Sequence, residues 1–258
     1  MYYGHADMRV SAIKIADTTI GFSRVMSQLV NASFQDGIFP QQLKCARVFP
    51  IHKGGSRTEA SNYRPISLPC LSTIFEKCMH ARILDYMENN NLLYEGQYGF
   101  RPGSSCEHAL LTAQNHLLNN LIRSKIISML LLIDFSKAFD VIESKILLDK
   151  LERYGIRGLP KKWLASYLTD LSQFVTINGH DSSKQNLSYG VPKGSILGPL
   201  LFIIYINDKP SLFGAANFIL YVDDANIIIS GDNFDQVIEQ FDKFTQKLDT
   251  WVKITAQF

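Results

Sequence analysis

The sequence predicts an α+β protein, with helices first and then a small sheet backed by further helices. Several stretches repeat apolar residues at the spacing of an amphipathic helix, and short apolar runs bounded by turn residues are typical of strands. The 258 residues are 46% hydrophobic, and the mean hydropathy is near zero. That composition is ordinary for a globular chain that forms one large domain or two small ones.

Three helices are predicted in the first half of the chain. Apolar periodicity favours helices over about 22–34 and 74–88, and a third helix whose leucine-rich face runs from Leu110 to Leu121. Thr73 with Glu76, and Ser104 with Glu107, have the spacing of capping boxes at two of the helix starts.

The second half alternates strands and helices. The run Ile126–Asp134 is predicted to be a fully buried strand, and Asn178-Gly179 after Phe174–Ile177 is a strong hairpin-turn signal. Phe218–Val222 and Asn226–Ile229 are predicted to be two short strands that flank Asp223-Asp224. Three further helices are predicted over about 143–154, from about Pro160, and over about 234–251.

Composition and targeting signals narrow the class of protein. The net charge of +2 does not by itself indicate nucleic-acid binding. The four cysteines lack zinc-site spacing and favour reduced, mostly buried thiols. The chain starts without a signal-peptide pattern, and its longest apolar runs are shorter than the roughly 18–20 residues of a membrane span. We therefore expect an intracellular protein of the cytoplasm or nucleus, with no membrane contact.

Three aspartates lie directly after apolar runs, at positions where a core strand would not carry an acid. Asp134 ends an apolar run, and Asp223 and Asp224 stand together between two apolar strands. Aspartates so close together repel each other unless a cation neutralises them, and oxygen ligands favour Mg²⁺ or Mn²⁺ over zinc. Asp223-Asp224 alone is more typical of a plain hairpin turn. The second acid upstream shifts the balance towards a metal site.

Six ordered segments carry a resemblance to reverse transcriptases of retroelements that lack long terminal repeats. Tyr221–Asp224 resembles the YxDD signature of that family. The other segments resemble, in chain order, two fingers motifs, the stretch before motif A, motif A, and motif B with its sequel: Ala46–Lys53, Asn62–Leu68, Gln97–Arg101, Leu132–Asp140, and Gly190–Phe202 with Tyr205–Asp208.

The resemblance implies a right-hand polymerase fold. Residues 1–125 would form a fingers-type helical region with basic motifs. Residues 126–258 would form a palm with the catalytic aspartates, and the chain would stop before the primer grip and thumb, which would be absent or incomplete. We therefore expect this chain alone to be a poor polymerase.

The resemblance also implies roles at the metal site. Asp134, Asp223 and Asp224 would be the catalytic acids and would hold two Mg²⁺, with the Phe135 carbonyl as a further ligand. One ion would activate the primer hydroxyl and the other would hold the triphosphate. The partners would be an RNA template, a DNA primer and deoxynucleoside triphosphates.

Further residues are predicted to bind the nucleotide. Lys53, Arg64 and, less firmly, Arg47 lie on the fingers motifs, where basic side chains bind phosphates. Phe139 would block a ribose 2′-hydroxyl, an interpretation that the motif match favours over a role in the core alone. In motif B, Gly194 would permit close backbone approach. Lys193 stands where the family usually has glutamine, so its contact with the nucleotide is an open expectation.

Three functions remain open at this point. The chain is an RNA-directed DNA polymerase, a catalytically silent remnant that binds nucleic acid or only folds, or an RNA-directed RNA polymerase. Phe139 and the fingers motifs count against the third function, and the presence of all three acids counts against the second.

Overall fold

The computed structural model describes residues 20–67, 71–124, 126–134, 139–140, 142–187, 189–191, 194–208 and 217–255. Within those ranges the helices, in chain order, are α1 (Ile20–Asp36), α2 (Ser72–Asn89), α3 (Cys106–Leu118), α4 (Ser144–Arg153), α5 (Leu159–Leu168), α6 (Leu197–Ile206) and α7 (Phe234–Thr255). The strands are β1 (Cys45–His52), β2 (Tyr63–Ser67), β3 (Ile127–Asp134), β4 (Ser172–Ile177), β5 (His180–Asp181), β6 (Gln185–Asn186), β7 (Asn217–Tyr221) and β8 (Asp224–Gly231). This mixture confirms the predicted α+β class.

One sheet joins the two halves of the chain. Its order is β2-β1-β4-β5, and β6 also pairs with β4. The pairing of β1 with β4 is parallel, whereas β1 with β2 is an antiparallel hairpin. Strands from both sides of the expected boundary at residues 125 and 126 therefore share this sheet, and the division into fingers and palm remains a prediction.

The second sheet has three antiparallel strands in the order β3-β8-β7. Strand β8 lies in the middle, and its first residue, Asp224, is opposite Asp134 on one side and Tyr221 on the other. The fold thus brings the end of β3 and the β7–β8 turn to the same edge of one sheet.

Helix α6 lies at the centre of the main core. Nine of its ten residues are buried, which are Leu197, Gly198, Leu200, Leu201, Phe202, Ile203, Ile204, Tyr205 and Ile206. A helix that is apolar on all sides must be surrounded by protein. The predicted inward residues of α5, which are Trp163, Leu164, Tyr167 and Leu168, are all buried as well.

The β4–β5 hairpin turn is confirmed. Asn178 and Gly179 both have positive φ, 51° and 82°, which is the backbone of a type I′ turn. Gly155, with φ 92°, likewise follows the end of helix α4. At these two places the residue type alone determines the local backbone.

Strand β3 corrects one prediction. It was expected to be fully buried, yet Leu130 is 42% exposed and Leu132 is 69% exposed. Among the described residues β3 pairs on one side only, with β8. An apolar run does not distinguish a central strand from an edge strand, because both carry aliphatic residues.

Helix α3 corrects another. Most of the expected leucine face is outward, with Leu110 at 61% and Leu121 at 68% exposure. The buried residues are Ala109 and Ala113, and Leu117 is the leucine that packs beside them. The last turn, Asn119–Ser124, is a π-helix. Small alanines pack against β7 and β8 and allow the helix to approach the sheet closely.

Both capping boxes are also wrong in detail. Helix α2 follows Leu71 without a side-chain cap, and Glu76 instead accepts bonds from Ile196 and Leu197. Helix α3 is capped by Ser105, one residue later than expected, through its bond from the His108 amide. None of the described helices is long and apolar enough to cross a membrane.

Candidate active site at the edge of the three-stranded sheet

The three predicted acids lie together at one edge of the β3-β8-β7 sheet. Asp134 and Asp224 are a cross-strand pair, and such pairs have Cβ atoms roughly 4.5–5.5 Å apart on one face of a sheet. Asp223 precedes Asp224 in the turn. Asp134 and Asp224 are exposed and Asp223 is half-buried, so solvent and ligands reach all three carboxylates.

Electrostatics links the three carboxylates. Burial raises the pKa of Asp223 above its ordinary value, and the neighbouring charges of Asp224 and Asp134 raise it further. A cation between these acids would remove the repulsion. The donor set therefore fits a divalent metal with hard oxygen ligands.

The acids do not form a closed cage by themselves. Among the described residues no group of three or more His, Cys, Asp or Glu side chains is arranged to hold a metal ion. Magnesium is commonly bound by one or two carboxylates together with substrate phosphates and water. Such a site stays incomplete until a nucleotide supplies the remaining oxygens.

The turn that carries Asp223 is tightly constrained. Val222 has φ 61°, a left-handed backbone that a β-branched residue rarely adopts. A Cβ on Gly99 would meet Val222 Cγ2 at 2.4 Å and its backbone nitrogen at 2.6 Å. Glycine at position 99 is therefore required for this close approach.

Residues 94–98 support the strand before the turn. The Tyr98 amide donates to the Leu220 carbonyl at 2.8 Å, and the Leu220 amide donates to the Gly96 carbonyl at 2.7 Å. The Tyr94 hydroxyl donates to the Phe218 carbonyl at 3.1 Å. The segment thus lies beside β7 and joins it through an isolated parallel bridge between Gln97 and Leu220.

Phe139 lies beside the motif B segment. Its carbonyl accepts from the Val191 amide at 3.1 Å, and its ring centroid is 5.1 Å from that of Phe202. The side chain is half-buried. One side of the ring thus packs on the core helix α6, and the rest remains accessible.

Gly194 lies close to the backbone of strand β2. It has φ 86°, and a Cβ there would lie 2.9 Å from the Ser67 carbonyl of β2. The segment 194–198 is further anchored by Glu76, which is 2% exposed and accepts from the Ile196 amide at 2.7 Å. Burial raises the pKa of Glu76, and the two amide bonds oppose that rise.

The basic residues of the fingers motifs lie on the β1–β2 hairpin. Arg64 is opposite Ile51, and Lys53 follows β1 with its amide bonded to the Asn62 carbonyl at 2.9 Å. Both side chains are exposed. They are available to a phosphate.

Arg47 is engaged within the protein. Its Nε donates to Thr176 Oγ1 at 2.8 Å, its guanidinium lies 3.6 Å from Asp181, and it stacks 5.1 Å above the Phe49 ring. These contacts hold it on β4 and β5. Phe135 and Lys193 lie outside the described residues.

Gln97 and Tyr94 have no role predicted from the sequence, and the role predicted for Glu76 is a different one. Gln97 is within a segment that resembles the family, but its burial could not be predicted from a polar residue in a loop. Glu76 had been interpreted as a local helix cap. Gln97 lies within one of the six family-like segments, which was the available signal, whereas Tyr94 and Glu76 lie outside them.

Comparison with known proteins gives a consistent result. The family model "Reverse transcriptase (RNA-dependent DNA polymerase)" matches residues 51–255. The chain is 32% identical over 193 residues to the probable RNA-directed DNA polymerase from transposon BS of Drosophila melanogaster. It is 35% identical over 185 residues to that from transposon X-element of the same fly. These matches cover 72% and 70% of this chain and 20% of each relative, so the chain spans about a fifth of their length.

Solved structures show the same architecture. Apo telomerase from Candida tropicalis, truncated from its C-terminal domain, aligns with a TM-score of 0.59 at 15% identity, covering 85% of this chain and 49% of that one. Telomerase from Candida albicans in complex with the TWJ fragment of telomeric RNA aligns with a TM-score of 0.56 at 13% identity, covering 85% and 42%. This likeness confirms the right-hand polymerase fold. The matched family generally uses divalent metal ions. The chain belongs to the reverse transcriptase family, in the branch of transposable elements that lack long terminal repeats.

Proposed function

We propose that this chain is the polymerase core that extends a DNA primer on an RNA template with deoxynucleoside triphosphates. One observation carries the proposal. The end of β3 and the β7–β8 turn place Asp134, Asp223 and Asp224 at one accessible sheet edge, with Asp134 paired to Asp224. Phosphoryl transfer needs positioning and charge neutralisation more than covalent chemistry, so exposed carboxylates suffice.

The carboxylates would hold the metal. Asp134 and Asp223 would be the main ligands, with Asp224 beside them and the Phe135 carbonyl next along the chain. Two Mg²⁺, or Mn²⁺ in their place, would supply Lewis-acid activation of the primer hydroxyl and neutralise the triphosphate. The protein's part is to hold these oxygens at fixed positions.

The hairpin β1–β2 and Phe139 would bind the nucleotide. Lys53 and Arg64 are exposed basic side chains on a hairpin and would contact triphosphate and template phosphates. Phe139, braced against Phe202, would exclude a 2′-hydroxyl, and Gly194 and Lys193 would lie near the template–nucleotide pair. RNA binding is supported by family membership and by the fold shared with a telomerase solved with a telomeric RNA fragment.

Primer extension on an RNA template with Mg²⁺ tests the proposal. Asp134→Asn and Asp223→Asn should each abolish incorporation, by about a thousandfold or more, because each removes a charged metal ligand. Asp242→Asn, an exposed acid on α7, is the matched control and should retain activity. Thermal unfolding measured on the same samples establishes that all variants are folded.

Two outcomes would contradict the proposal. Extension retained by Asp223→Asn would remove the acids from the mechanism. Incorporation of ribonucleotides but not deoxynucleotides would indicate an RNA polymerase instead. Binding of Mn²⁺, measured by electron paramagnetic resonance without any primer, separates a metal-binding but slow chain from a silent remnant.

A further inference from the structure

The turn between β7 and β8 holds an unfavourable backbone conformation. Val222, one residue before Asp223, has φ 61° and is buried at 8% exposure. A β-branched residue in the left-handed region persists only where its surroundings hold it there. Whatever holds Val222 therefore also determines the position of Asp223.

Gln97 is the side chain that bonds to this turn. It is 1% exposed, and its Oε1 accepts from the Val222 amide at 3.2 Å and from the Gly99 amide at 2.8 Å. Gly99 in turn packs directly on Val222. One oxygen thus joins the acid turn to the segment that runs beside β7.

Glutamine rather than glutamate at position 97 avoids a further negative charge near the three acids, at the expense of one unfavourable donor. Its Nε2 is buried and has no hydrogen-bond partner among the described residues, which is an unfavourable arrangement for a donor. A glutamate would present the same acceptor without the unpaired donor. It would also add a fourth negative charge close to three carboxylates that already repel one another.

We propose that Gln97 is a positioning residue for the metal-binding acids. Its side chain is almost fully buried, and it acts through the Val222 backbone, whose conformation fixes the direction of the Asp223 carboxylate. This inference rests on the proposed function insofar as Asp223 is a metal ligand. Outer residues of this kind typically change metal affinity by about 10- to 100-fold when they are replaced.

The test compares Gln97→Met with Gln97→Glu. Methionine keeps the length and bulk but removes the acceptor, so exchange of the Val222 amide hydrogen, followed by NMR, should accelerate about fivefold or more. The affinity for Mn²⁺, measured by electron paramagnetic resonance in the absence of nucleic acid, should fall about tenfold. Glutamate keeps the acceptor and should preserve the protection of the Val222 amide.

Two controls separate positioning from simple stability. Gln236→Met makes the same substitution where a glutamine oxygen accepts the Asp232 amide at 3.0 Å, away from the turn. Ser33→Ala removes the acceptor of the buried Trp163 indole, at 2.8 Å, and should lower the melting temperature. Neither control should change Val222 exchange or Mn²⁺ affinity.

The outcomes are distinguishable. If Gln97→Met leaves Val222 exchange unchanged, or if Ser33→Ala reduces Mn²⁺ affinity as much, the positioning role is wrong. If the unmodified chain binds no Mn²⁺, the proposed function fails. The exchange of Val222 in Gln97→Met then still decides whether Gln97 holds the turn.

Discussion

The acid turn and the basic hairpin differ in how much of the protein surrounds them. Around the turn, Val222 and Gln97 are buried, and residues 94–98 pair with β7. In the hairpin, the described strand residues are mostly exposed or half-exposed, and only Val48 of β1 and Ser67 of β2 are buried. The first region is embedded in the protein and the second projects from it.

This difference matches the two tasks proposed for them. Metal ligands must be positioned to within a fraction of an ångström, because an error of about 1 Å can cost about a hundredfold in rate. Phosphate is a diffuse anion, and long basic side chains such as Lys53 adapt to it. An exposed hairpin can therefore bind phosphate through mobile basic side chains, whereas only a packed turn can orient carboxylates.

The strongest way to break the comparison is to place a methyl group in each region. Gly99→Ala forces a Cβ against Val222 and should cost about 1–3 kcal/mol of stability, together with about a hundredfold in polymerisation rate as the acids move. Gly54→Ala has open space in the hairpin but φ 119°, so backbone strain should also cost about 1–3 kcal/mol of stability, but without moving the acids. Urea unfolding and primer extension measure the two effects. Equal losses of activity in the two variants would show that the acid turn is no more sensitive to distortion than the hairpin.

Phe139 tests the boundary between core and site. Its ring packs on Phe202, so Phe139→Ala should both lower stability and raise ribonucleotide use relative to deoxynucleotide, by about tenfold in the ratio of kcat/KM values. Phe139→Leu keeps most of the bulk and is the matched control for stability. A ratio that does not change in Phe139→Ala would make Phe139 a core residue only.

The sequence was sufficient for the features that depend on local chemistry. The Asn178-Gly179 turn, the inward face of α5 and the alignment of the acids with strand ends all follow from residue type and spacing. The exposure of β3 and the outward leucines of α3 did not follow, because they depend on which surfaces other elements cover. The role of Gln97 required the structure, since it bonds across 125 residues to Val222.

The basic residues should respond according to how firmly the protein already engages them. Lys53→Ala and Arg64→Ala should each raise KM for the deoxynucleotide about tenfold or less, with unchanged melting temperature, because their side chains are exposed and a charge-assisted bond is worth roughly 1.5 kcal/mol. Arg47→Ala should lower stability instead, since its guanidinium contacts Thr176 and Asp181. Steady-state kinetics at two salt concentrations measure the difference, and a larger KM effect for Arg47 than for Lys53 would reverse the assignment.

The smallest expected effect is the pH dependence of the acid turn without metal. In EDTA, burial and the charges of Asp224 and Asp134 keep the pKa of Asp223 above its ordinary value of 3.8. The folded state then holds this proton more tightly than the unfolded state, so the contribution of Asp223 to stability is fully present below pH 3.8 and is lost as the pH rises through the folded pKa.

At neutral pH Asp223→Asn should therefore be slightly more stable than the unmodified chain, by less than about 1 kcal/mol because water screens the carboxylates. The gain should disappear towards pH 3.8. Mg²⁺ should reverse the order, because an ion that binds only the folded state stabilises the chain with the intact ligand set more. Chemical unfolding at several pH values, with EDTA and then with Mg²⁺, measures each part. A neutral-pH loss of stability on Asp223→Asn in EDTA would mean that the carboxylate makes favourable contacts that outweigh the repulsion.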